Sequence, residues 1–164
     1  MYFELQGPKA TPEEVAELEQ KYKVKLPRSY KEFLMQFGAC YSDPFYDCPD
    51  LEFIGETNTD DPTDYLARLY GCDSAKKYFR ISEEMDMFGY ELSEGQIYIG
   101  DTDLHCLLIL DCTPENGGVW MYDHTGSFTS EEQPHRCKIA DSFEEFLRMI
   151  DGIQVSEPYE PKNT

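Results

Sequence analysis

Apolar residues recur along this chain in two rhythms. Val15, Leu18 and Tyr22 fall three and four residues apart, which places them on one face of a helix. Thr11 stands where an N-cap belongs, Pro12 suits the first helical position, and Glu14 completes a capping box. A helix is predicted from there to about Tyr22, with Lys21 and Lys23 near its negative end. Tyr30, Phe33, Leu34 and Phe37 repeat the same spacing after Pro27, and Gly38 marks the stop. Near the end, Ser142-Phe143-Glu144-Glu145 opens a third helix whose apolar face is Phe143, Phe146, Leu147 and Ile150.

The second rhythm occupies Gly95 to Gly126. Three strand-like runs, around Gln96–Gly100, His105–Leu110 and Val119–Tyr122, are separated by Gly100-Asp101-Thr102-Asp103 and Pro114-Glu115-Asn116-Gly117-Gly118. Both separators are turn chemistry, so the stretch reads as an antiparallel meander. Its middle strand is apolar on both faces and must be covered on both sides. Elsewhere the pattern predicts a loop over 39–62 with one strand near Leu51–Ile54, and short helices at Asp64–Leu69 and Asp73–Phe79. Ile81–Phe88 fits a helix or an extended segment, and a short strand is expected near Cys137–Ile139. Helices, then strands, then a helix, without βαβ alternation, give an α+β fold. The expected architecture is an antiparallel sheet packed with two N-terminal helices and one C-terminal helix. One domain is expected over 1–164, with its core at about 11–152 and a loose tail over 153–164.

Charge changes this picture most. Thirty-three acids against 14 bases give a net charge of −19. Residues 32–67 hold nine acids, residues 81–135 hold twelve, and neither stretch contains a Lys or Arg. Such a surface repels nucleic acid and anionic membrane and attracts a basic partner. No segment approaches the ~20 apolar residues that span a bilayer, and Met1-Tyr2-Phe3-Glu4 lacks the basic start of a signal peptide, so a cytoplasmic protein is expected. Six cysteines without a CxxC pair are then read as reduced thiols.

Enzyme signatures are missing: no GxxxxGK[ST], GxGxxG, HExxH or GxSxG occurs. His105 and Cys106, read as strand neighbours, point to opposite faces and cannot act as base and nucleophile. Asp101, Asp103 and His105 are suitable metal ligands by type, but Asp-Thr-Asp before a strand is also an ordinary turn. No catalytic residue, metal or cofactor is assigned. Trp120 is read as core packing on the sheet. Aromatics interleaved with acids are the better site signal, since they can anchor a basic protein. The partner-binding candidates are Asp43, Phe45, Tyr46, Asp47, Asp50, Glu83, Glu84, Asp86, Asp101 and Asp103.

TPEEVAELEQKY, LPRSYKEFLMQFG, IYIGDTDLHCLLILD, GGVWMYDHTG and IADSFEEFLRMI stand in an order and spacing that resembles the SUKH superfamily of bacterial immunity proteins. Relatives of that superfamily include a yeast cell-wall (glucan) synthesis regulator. The resemblance covers about Thr11 to Ile150. It implies the α+β fold already argued, and a non-catalytic protein that binds and neutralises a toxin domain, often a nuclease. A regulatory protein-binding scaffold is the alternative reading, and a metal-dependent hydrolase a more distant one. The expected partner is a protein toxin with a basic surface, not nucleic acid or membrane, bound by a monomer or weak dimer. The chain lacks the Gly-rich run that many members carry after the position of Asp101.

Overall fold

The capping chemistry at the two ends of the chain forms as the residues dictate. The computed structural model describes residues 2–42, 48–130, 135–150 and 154–155. Helix α1 (Pro12–Tyr22) begins with Thr11 Oγ1 accepting from the Glu14 N–H while the Glu14 carboxylate accepts from the Thr11 N–H. Helix α2 (Arg28–Gln36) follows, after strand β1 (Tyr2–Leu5) has already been laid down ahead of α1. Strands β2 (Cys40–Ser42), β3 (Asp50–Glu52) and β4 (Thr63–Leu69) lead to helix α3 (Ile81–Phe88), which tightens into one 3-10 turn at Gly89–Glu91. The predicted meander is β5 (Gln96–Thr102), β6 (Leu107–Asp111) and β7 (Gly118–Tyr122), then β8 (Arg136–Ala140), α4 (Phe143–Met149) and β9 (Gln154–Val155).

Eight strands form the sheet in the order β8-β7-β6-β5-β4-β2-β1-β9, and β3 pairs with β4. Every pairing is antiparallel except β1 with β9. All five residues of β6 are buried, so the sheet is covered on both sides as its sequence demands. On one side Phe143 of α4 meets Tyr30 and Phe33 of α2, with ring centroids 4.8 and 5.5 Å apart. On the other, α3 lies across β5, where the Tyr98 hydroxyl donates to the Phe88 carbonyl at 3.0 Å. Trp120 on β7 is partly buried against the core, its indole N–H donating to the Asn116 carbonyl at 3.1 Å.

Two expected helices do not form. Asp64–Leu69 belongs to β4 instead. Leu66 and Leu69 are both buried, and their spacing of three looks helical. A bulge between Leu66 and Arg68 lets both face the core from a strand. Asp73–Phe79 is a loop that folds back on itself: the Gly71 N–H donates to Phe79 O at 2.8 Å and the Ile81 N–H to Gly71 O at 2.9 Å. Tyr78 there has φ of 71°, which a helix does not allow. Strands β1 and β2 lie where no strand was expected, and Phe3, fully buried, joins the core. Helix α3 settles the ambiguous segment and makes the helix count four. Of the tail, 154–155 pair with β1, and the remainder lies outside the described residues. Gly100 is required where β4 and β5 cross closely, because a Cβ there would stand 2.3 Å from the Arg68 carbonyl oxygen.

Candidate functional site

The turn between β5 and β6 collects the residues with the most chemical promise, and the structure separates them. Asp101 is buried, at 3% exposure, on the α3 side of the sheet. Its carboxylate takes a forked contact from Arg68: Nε lies 3.0 and 2.9 Å from its two oxygens, and Nη2 bonds Oδ2 as well. Arg68 donates its remaining arm to the Tyr78 carbonyl at 2.8 Å and stacks on Tyr70 and Phe79. Asp101 is therefore occupied inside the protein and offers little surface to a partner. Asp103 and His105 are exposed in the turn, and His105 has φ of 64°, so it is a turn residue and not part of β6. Among the described residues no three His, Cys, Asp or Glu side chains converge as a metal site.

Cys106 is fully buried with its Sγ 3.9 Å from Asp123 Oδ1. Burial first, then the charges of Asp64 and Asp123, push its thiol well above the ordinary range, so it stays protonated and unreactive. Around it, two buried carboxylates tie the loops at this end of the sheet. Asp64 accepts from the Tyr65 and Leu104 N–H groups at 2.7 and 3.1 Å and from the Thr102 hydroxyl. Asp123 accepts from the N–H groups of Ser127, Phe128 and Thr129 at 2.8, 3.0 and 2.9 Å, and from the Thr129 hydroxyl at 2.7 Å. His135 Nδ1 lies 2.9 Å from that same hydroxyl. This network orders loops, and nothing in it aims a nucleophile at an opening.

Burial alone would raise the Asp123 pKa, but the Thr129 hydroxyl and the three N–H donors bring it below the ordinary carboxylate value. A depressed folded pKa contributes stability that is present above the unfolded value of ~3.9 and is lost as pH falls through the folded one. Asp111, held by Gln96 and Thr113 after its own burial cost, acts with the same sign. Asp123→Asn turns an amide NH2 toward some of these donors and should lower stability at pH 7 by about 1.5–3 kcal/mol. Urea titrations between pH 3 and 7 should show a flatter acid limb for the variant than for the parent. Parallel limbs would remove Asp123 from the acid response.

Exposed acids and exposed apolar side chains coincide in two places. Asp50 on β3 pairs directly with Tyr65 on β4, and the Asp103 N–H donates to the Tyr65 carbonyl at 2.9 Å. Asp50, Asp103, half-exposed Tyr65 and Leu104 thus lie together. On α3, Glu83 accepts from the Tyr78 N–H at 2.5 Å, Glu84 is half-buried, and Asp86 is exposed. The Glu84 carboxyl is held above the usual range, first by burial and then by the charge of Asp101, which Arg68 and His124 only partly offset. Met87 and Tyr90 are 55% and 81% exposed beside these acids. The candidates Asp43, Phe45, Tyr46 and Asp47 lie outside the described residues. Tyr65, Tyr78, Met87 and Tyr90 were not singled out from sequence. Their type is visible there, but their outward direction depends on what packs behind them.

A groove of about 740 Å³ runs between α2, α4 and the β6–β7 turn. Arg28, Glu32, Asp111, Asp141 and Glu144 line it, a mixed set with no convergent catalytic group.

Among curated proteins, the chain is similar to the SPbeta prophage-derived uncharacterized protein YokK of Bacillus subtilis (strain 168). The two are 26% identical over 162 residues, covering 92% of this chain and 77% of the relative. The model of the SMI1 / KNR4 family (SUKH-1) matches residues 9–149, which takes in every helix and the whole meander. With that match over most of its length and the sheet and helices described above, this chain belongs to the SMI1 / KNR4 family (SUKH-1).

Proposed function

We propose that this chain is a non-catalytic immunity protein, a single cytoplasmic domain that binds and neutralises a protein toxin with a basic surface. One observation carries the reading: the two stretches without Lys or Arg, 32–67 and 81–135, meet on neighbouring elements. Asp50 and Asp103 flank Tyr65 of β4, while Glu83, Glu84 and Asp86 lie on α3, which packs on β5, and nearby Arg68 is already engaged by Asp101. None of those five acids has an ion-pair partner among the described residues.

A surface of this kind is suited to a basic cleft that normally holds a phosphate backbone, as in a nuclease. Long-range attraction speeds encounter, and desolvated aromatics then set the lifetime of the complex. The family, which includes toxin immunity proteins, and the prophage origin of the relative both favour this reading over a housekeeping scaffold.

The test is co-expression with the protein encoded beside it. The expected result is rescue of growth and a complex that survives size-exclusion chromatography, with association slowing as salt rises. Absence of both rescue and binding would sink the proposal, and recovery of cellular partners alone would favour the scaffold.

A further inference from the structure

Helix α3 carries two stripes. Ile81, Glu84, Met85 and Phe88 recur at helical spacing and turn inward: Ile81 is fully buried, Met85 and Phe88 pack against the core, and Phe88 meets the His124 ring at 4.3 Å. Glu83, Asp86 and Met87 occupy the opposite stripe, continued by Tyr90 in the 3-10 turn. An outward stripe on a solvated helix is ordinarily polar throughout. Here it ends in Met87 and Tyr90, two of the most exposed large apolar side chains among the described residues. Tyr78, 66% exposed, stands next to it, tied through its backbone N–H to Glu83.

Several groups border the stripe. Lys77 Nζ sits 5.2 Å from the centre of the Tyr78 ring, and Lys21 is close enough to feel the charge of Asp86. Neither comes within ion-pair distance of Glu83, Glu84 or Asp86. Behind the helix, Arg68 is spent on Asp101, and Arg136 lies over Tyr122 with its Nη2 on the Glu91 carbonyl. Among the described residues, Glu83 and Asp86 therefore have no ion-pair cation, while Lys77 over Tyr78 shows the local chemistry holding a cation against an aromatic ring.

We infer that the outer stripe of α3 is the docking face for a Lys- and Arg-rich segment of the toxin, with Met87 and Tyr90 as apolar anchors and Glu83 and Asp86 as the charge partners. Long basic side chains suit such a face, since their aliphatic stems cover Met87 and Tyr90 while their heads reach the carboxylates. This rests on the immunity reading and goes further by naming the surface.

The experiment uses the toxin domain that the full-length chain neutralises on co-expression, and measures association and dissociation with purified proteins at low and moderate salt. Three variants are compared: Met87→Ala with Tyr90→Ala, Glu83→Lys with Asp86→Lys, and a control, Glu17→Lys with Glu144→Lys, that reverses two exposed acids elsewhere. The apolar variant should dissociate about 30-fold faster. The α3 charge variant should associate at least about tenfold more slowly at low salt, with the control within about threefold of the parent. Thermal melts confirm that each variant is folded. If folded α3 variants bind within threefold of the parent, or the control falls as far as they do, the docking face is wrong while the immunity reading stands. If the parent itself neither binds nor protects, the immunity reading fails first.

Discussion

Phe146→Ala should lower stability by about 3–5 kcal/mol, among the largest losses available to a single truncation in this fold. Phe146 is fully buried, 5.9 Å from the Phe143 ring, which in turn meets Tyr30 and Phe33 edge-on. These rings join α4 to α2 over the sheet, so removing one opens a cavity at a junction where neither helix can close in without losing another contact. For a domain of this size the loss corresponds to a fall in melting temperature of roughly 10 °C. Urea denaturation of the parent, Phe146→Ala and Phe146→Leu checks it, with the leucine variant retaining most of the stability. A cost below about 1 kcal/mol for the alanine variant would mean that α4 is only loosely seated.

The second large effect is expected at Arg68. Arg68→Ala leaves Asp101, 3% exposed, without its cation and with Glu84 as an uncompensated neighbour. Removing one partner of such a pair costs about 3–5 kcal/mol, mainly from stranding the remaining charge. The same variant frees the Tyr78 carbonyl and unstacks Tyr70 and Phe79, so the loop before α3 should loosen with it. One signature separates the stranded charge from lost packing: adding Asp101→Asn should recover at least about 1 kcal/mol of the deficit. No recovery from the second substitution would show that Arg68 acts through its stem and stacking alone. Because this pair holds the loop next to α3, weaker binding at the proposed docking face would also be expected in Arg68→Ala without any change to the outer stripe.

How much was legible in the sequence depends on the range over which each signal acts. Thr11, Glu14 and Ser142 determine helix starts through bonds to residues three positions away, and these formed as expected. The meander was legible because consecutive strands pair through short turns. Strand β4 was not, since Leu66 and Leu69 carry a helical spacing that a bulge reconciles with a strand. Its partners, β2, β3 and β5, are distant in the chain or separated by irregular segments. Strands β1 and β2 were missed for the same reason: these short segments take their places between β4 and β9 through partners distant in the chain.

The candidate site divides in the same way. The family pattern, the helix caps, the doubly apolar central strand and the segregation of acids from bases follow from composition and local spacing alone. Tertiary structure alone decided that Asp101 is buried on Arg68 while Asp103, two residues on, faces solvent. It alone decided which stripe of α3 is left outside, with Met87 and Tyr90 on it. Burial is a property of what packs behind a residue, and that is set by pairings between segments that no local pattern connects.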